Sequence, residues 1–91
     1  MARVGRHVRI SGQVQGVFFR AWTQQNANEL GVSGWARNCA DGSVEGHLTG
    51  VETAVAELVA RLHNGPPSAG VAYVEVRETD PEPGDGFEIR S

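Results

Sequence analysis

A single cysteine, Cys39, excludes an intramolecular disulfide, and no pairing of Cys or His residues has the spacing of a structural zinc site. Long apolar runs are missing as well. The richest stretch, Val51 to Leu62, is broken by Glu52, Glu57 and Arg61 and falls far short of the roughly 20 residues that cross a bilayer, so no membrane span is expected. The N-terminal Met-Ala-Arg-Val-Gly-Arg-His is basic but leads into an alternating segment instead of an apolar core; a signal peptide is not expected, and the cytoplasm is the expected compartment. Nor is there a surplus of positive charge. A net charge of −3 is the wrong sign for a domain that grips nucleic acid by its phosphates, although it leaves room for one small anion. With only four prolines against 12 glycines and 40% apolar residues, the composition is that of a globular chain with several tight turns. Its 91 residues suffice for one hydrophobic core and not for two, so one domain spanning 1–91 is expected, with a monomer as the default.

The apolar pattern orders the elements. Val8, Ile10 and Val14 share one parity with Gly12, which predicts a half-buried strand over 7–14 with a close backbone approach at the glycine. Thr23, Ala27 and Leu30 fall at i, i+4 and i+7 and Gly31 follows, predicting a helix from about Ala21 to Leu30. Ser33 to Asn38 and Ser43 to Thr49 flank Cys39-Ala40-Asp41-Gly42, and the Asp-Gly pair supports a hairpin turn. Val55, Leu58, Val59 and Leu62 form a second helical stripe, preceded by Thr49-Gly50-Val51-Glu52 with the spacing of a capping box. Ala72, Val74 and Val76 alternate with Tyr73, Glu75 and Arg77 in a fourth strand, and Phe87 to Arg90 adds a short fifth. The expected fold is α+β: a ferredoxin-like βαββαβ sandwich, an antiparallel sheet with two helices on one face, plus a short C-terminal strand.

A right-handed strand–helix–strand crossover brings the ends of the first and second strands to one edge of the sheet. The loop Gln15-Gly16-Val17-Phe18-Phe19 is therefore expected to meet Asn38 there. It leads into a helix N-terminus, whose unpaired N–H groups and dipole favour an anion. Gly16 lets the amides curl into a nest, Arg20 adds a planar guanidinium that can hold two phosphate oxygens, and Asn38 offers an amide that donates and accepts. Such a set suits phosphoryl transfer, which depends on positioning and electrostatics. It contains no general acid, metal pair or covalent nucleophile, so the leaving group must depart unaided. A carboxylate, whose conjugate acid has a pKa of about 4, does so. The parts therefore fit an acyl phosphate better than a phosphate monoester.

Gly12-Gln13-Val14-Gln15-Gly16-Val17-Phe18-Phe19-Arg20 resembles the phosphate-loop signature of the acylphosphatase family. Gly34-Trp35-Ala36-Arg37-Asn38, followed by Gly42-Ser43-Val44 and Gly50, resembles its second signature. The likeness runs from about His7 to Arg90 and points to the small, single-domain, bacterial-type members. It implies a ferredoxin-like fold and hydrolysis of a small-molecule acyl phosphate to a carboxylate and phosphate, with no cofactor and no metal. By matching position, it implies that Arg20 binds the phosphoryl group with the backbone amides of Gln15, Gly16, Val17, Phe18 and Phe19, and that Asn38 orients the water. Such domains also stand at the N-terminus of larger hydrogenase-maturation proteins; because this chain ends soon after the domain, a free-standing enzyme is expected.

Spacing alone leaves other readings open. Arg20 also fits a solvated arginine, though a cation in a first helical turn opposes the dipole. Asn38 also fits a turn residue tolerant of left-handed backbone. Arg37 has the opposite parity to Asn38 and is expected on a solvated face. Cys39 reads as a small packing residue or an exposed thiol, and His7, His47 and His63 lie on separate elements without ligand spacing. RNA-binding domains share this fold, but their aromatic motif is absent from the third strand, which reads Ser43-Val44-Glu45-Gly46-His47-Leu48. A non-catalytic anion sensor would use the same cradle and differ only in lacking turnover.

Overall fold

Val8 and Ile10, each 1% exposed, are the buried half of the first alternating segment, and their neighbours His7 and Arg9 face the other way. A computed structural model, which describes residues 2–91, places this segment in strand β1 (Arg3–Gln13). Helix α1 (Phe19–Leu30), strands β2 (Ser33–Asn38) and β3 (Val44–Val51), helix α2 (Glu52–Leu62) and strands β4 (Gly70–Thr79) and β5 (Phe87–Arg90) follow. The strands form one sheet in the order β4-β1-β3-β2-β5. Pairing is antiparallel for β1 with β3, β1 with β4 and β2 with β3, which is the expected ferredoxin-like arrangement. The fifth strand departs from it, pairing parallel to β2 and making the sheet mixed. Residues 80–86 carry the chain from the β4 edge to the opposite edge, and β5 enters beside β2 in the same direction.

Both helices cover one face. Phe19, Thr23 and Ala27 from α1 and Val55, Leu58 and Leu62 from α2 are buried. They meet Val8, Ile10, Ala36, Val44 and Leu48, the inward residues of the three central strands. The opposite face carries Arg37, Glu45, His47 and Thr49, with Arg37 opposite Glu45 across β2 and β3. None of the helices is long and apolar enough to cross a membrane among the described residues.

Four local expectations change in the folded chain. Helix α1 starts at Phe19, two residues early, because Phe18 turns left-handed (φ 60, ψ 28) and its carbonyl takes the Trp22 N–H at 2.9 Å. The capping box does not form: Val51 is the N-cap of α2 without a side-chain bond, and the Thr49 hydroxyl accepts the Glu82 N–H at 3.0 Å instead. The third strand runs from Val44 to Val51 rather than from Ser43 to Thr49, because Ser43 N and Oγ bond the Asp41 carboxylate in the turn at 3.0 and 2.6 Å. In β4 the alternation breaks at Ala72, where the register with β1 slips, so Val71 and Val74 both pack on the core while Val76 stays 40% exposed. Gly12 sits at the same slip with φ 122, and a Cβ there would collide with the Gly70 carbonyl, the close approach expected of it.

Candidate active site

Ile10 of β1 and Asn38 of β2 both lie opposite Val44 of β3, so the end of β2 and the loop that follows β1 share one end of the sheet. The loop is pinned at both sides. Val14 is 1% exposed and Phe19 2% exposed, and the Phe19 ring packs on Trp22 with centroids 5.6 Å apart. Between these anchors the backbone turns left-handed at Gly16 (φ 75) and Phe18 (φ 60). Around Gly16 no heavy atom lies within 4 Å of where a Cβ would be, so glycine serves the dihedral there and not a tight fit.

A pocket of about 300 Å³ opens at this end. Gly16, Phe18, Phe19, Arg20 and Asn38 all line it, with Val14, Ala21 and Ile89 completing its walls. Helix α1 presents its N-terminus with no side-chain cap and no acidic residue in its first turn, which leaves the positive end of the dipole uncompensated. Arg20 donates from Nη1 to the Arg90 carbonyl at 2.8 Å and, among the described residues, has no carboxylate partner. A guanidinium carries five N–H groups, so most of its donors remain available to an anion. The Asn38 amide likewise has no hydrogen-bond partner among the described residues, and it shares the helix-facing parity of Ala36.

Two of the expected loop residues take other parts with their side chains. Gln15 donates from Nε2 to the carbonyls of Cys39 at 2.8 Å and Ser43 at 2.9 Å, tying the loop to the hairpin that follows Asn38. Val17 packs against the core, and its carbonyl accepts the Ser68 hydroxyl at 3.3 Å. Sequence reasoning missed the Gln15 clamp and the contribution of β5, whose Ile89 lines the pocket and whose Arg90 carbonyl orients Arg20. The Phe87–Ile89 alternation marked a strand, but nothing in it named β2 as the neighbour.

Other candidates sit elsewhere. Arg37 lies on the opposite face as expected, its Nε 2.6 Å from Glu45 Oε1, and His7 Nε2 lies 2.7 Å from the other Glu45 oxygen. The His7 contact, followed by the Arg37 bond and charge, holds the Glu45 carboxyl below its usual range against the opposing effect of burial. Buried His47 is satisfied structurally: Nε2–H donates to the Asp80 carbonyl at 3.1 Å, while Nδ1 accepts the Thr49 hydroxyl at 3.3 Å. Among the described residues no three His, Cys, Asp or Glu side chains cluster to hold a metal. The face of β3 away from the helices carries Glu45, His47 and Thr49 and no aromatic, unlike an RNA-stacking strand, and His47 and Thr49 are buried there.

The comparisons with known proteins agree with the fold. A family model described as Acylphosphatase matches residues 6–89. The acylphosphatase of Haloquadratum walsbyi is 51% identical over 88 residues, covering 97% of this chain and 95% of the relative. That of Haloarcula marismortui is 47% identical over 90 residues, covering 99% of each. The solved structure of an acylphosphatase from Coxiella burnetii matches with a TM-score of 0.93 at 38% identity, over 97% of this chain and 93% of that one. The chain belongs to the acylphosphatase family, enzymes that hydrolyse acyl phosphates to a carboxylate and phosphate.

Proposed function

We propose that Arg20 and the backbone amides of Gln15 to Phe19 hold the phosphoryl group of the substrate, and that Asn38 orients the attacking water. The observation that carries this reading is the shared pocket: Arg20 and Asn38 come from different elements, line one cavity at an uncapped helix N-terminus, and keep donors unspent. Water attacks phosphorus and the bond from phosphorus to the acyl oxygen breaks. The acyl phosphate dianion and water become a carboxylate and dihydrogen phosphate, one water proton staying on the attacking oxygen and the other passing to a phosphoryl oxygen. The substrate thus acts as its own base. Charge that develops on the phosphoryl oxygens meets the guanidinium and the helix dipole, both in place before the reaction.

The leaving carboxylate needs no general acid, and on this reading the reaction needs neither metal nor organic cofactor. One domain of the family spans residues 1–91. It acts as a monomer and in the cytoplasm, which suits its single unpaired cysteine.

The test is hydrolysis of benzoyl phosphate in the presence of a chelator by the wild type, Arg20→Ala and Asn38→Ala. Rapid wild-type turnover and a loss of on the order of a hundredfold or more in kcat/KM for each folded variant are expected. A folded Arg20→Ala or Asn38→Ala enzyme with near wild-type turnover refutes the role given to that residue, and loss of wild-type activity on chelation refutes metal independence.

A further inference from the structure

The large apolar side chains exposed among the described residues are Phe18 at 84%, Tyr73 at 62%, Ile89 at 42% and Val76 at 40%. Phe18 and Ile89 both line the pocket shared by Arg20 and Asn38. Neither is accounted for by the core. Phe19, next in sequence, is the residue that buries its ring (2% exposed). Phe18 is also the non-glycine residue with positive φ among the described residues (φ 60), a conformation in which Gly or Asn costs less. Ile89 follows the same pattern on β5: Phe87, two residues earlier on the same face, is 6% exposed and packs in the core, while Ile89 remains open at the pocket.

The lining divides by chemistry. Arg20, Asn38 and the Gly16 backbone supply its polar groups, and Phe18, Ile89, Val14 and Phe19 its hydrocarbon surface. Arg20 is the one charged side chain in that lining. Small-molecule sites commonly combine such a surface with a few polar groups that fix orientation. At about 300 Å³ the pocket is at the small end of such sites, large enough for a phosphoryl group with a compact acyl body against that surface.

We propose that Phe18 and Ile89 form a platform for the acyl group, so that this enzyme prefers acyl phosphates with an apolar acyl group, aryl or branched aliphatic, over acetyl phosphate. The inference rests on the phosphoryl group lying between Arg20 and Asn38. An acyl group laid on the two side chains removes apolar surface of both partners from water, and a contact of that size changes kcat/KM by several-fold to tenfold. Acetyl phosphate is too short to use it.

The experiment measures kcat/KM for benzoyl phosphate and acetyl phosphate, with inhibition by inorganic phosphate, in the wild type, Ile89→Ser, Phe18→Asn and Arg20→Ala. Asn keeps the left-handed backbone accessible while removing the ring. Comparing the benzoyl-to-acetyl ratio across enzymes cancels the intrinsic reactivity of the two anhydrides. The expected result is a ratio lowered about three- to tenfold in Ile89→Ser and in Phe18→Asn, mainly through a higher KM for benzoyl phosphate, with phosphate still inhibiting. A ratio unchanged in both of these variants overturns the platform while leaving the phosphate cradle intact. If instead Arg20→Ala leaves turnover and phosphate inhibition at wild-type values, the cradle reading fails and the platform falls with it.

Discussion

Replacing Gln15 with Met tests whether the loop over residues 15–18 depends on its tie to the hairpin. The Gln15 amide donates to two carbonyls, Cys39 at 2.8 Å and Ser43 at 2.9 Å, and methionine keeps the length of the side chain while removing both donors. Neither carbonyl is orphaned by the change, since Cys39 O still accepts the Gly42 N–H at 3.1 Å and Ser43 O the Cys39 N–H at 2.8 Å. The loss is therefore that of two net hydrogen bonds without a desolvation penalty, about 1 to 2 kcal/mol. In a domain of this size that lowers Tm by about 4 to 16 °C. The same bonds fix the loop that carries Gly16 and leads to Arg20 against the turn that leaves Asn38, so a shift of a fraction of an ångström between them should lower kcat/KM by on the order of tenfold to a hundredfold. Thermal melts followed by circular dichroism, together with benzoyl phosphate hydrolysis well below the midpoint, measure both quantities. Lost activity with an unchanged Tm would mean that the Gln15 side chain serves the substrate and not the hairpin. A lowered Tm with full activity would show that the loop holds its shape without the clamp; either result sinks the argument.

Two further outcomes are expected. Because the folded-state pKa of Glu45 lies below the carboxylate value of 4.5, its contacts with His7 and Arg37 stabilise the protein above that pH and are lost as pH falls through the depressed value; the urea midpoint should fall between about pH 5 and about pH 3, less steeply in Glu45→Gln. An identical slope in the variant would remove Glu45 from the account of acid sensitivity. His47→Ala removes the bond to the Asp80 carbonyl and the acceptor for Thr49, so stability should fall by about 2 kcal/mol and amide exchange in residues 80–90 should speed up; unchanged protection of β5 would show that the 80–86 connection is held by other contacts.

Local pattern made most of the elements legible. The parity of Val8 and Ile10, the stripe of Val55, Leu58 and Leu62, the left-handed Gly31 and the turn at Gly42 each depend on neighbours a few residues away, where backbone sterics and periodicity operate. The site candidates were legible for a related reason: Gly16 to Arg20 are contiguous, and a right-handed crossover leaves little choice about where Asn38 ends. Thr49 shows where this kind of reading stops. Its spacing to Glu52 fits a capping box, yet its hydroxyl accepts the N–H of Glu82, a residue of a distant loop that only folding brings beside it.

The strands, the helices and the meeting of the 15–20 segment with Asn38 were readable from the residues alone, because each is set by local geometry and a right-handed crossover. The partner of β5 was set by long-range contacts. Its parallel pairing with β2 brings the Arg90 carbonyl to Arg20 across 70 positions of chain and sets Ile89 in the pocket wall. No local preference of Phe87 to Arg90 encodes that partner: an edge strand takes the free edge that its connection can reach, and the reach of residues 80–86 is fixed by His47 and Thr49 on another strand.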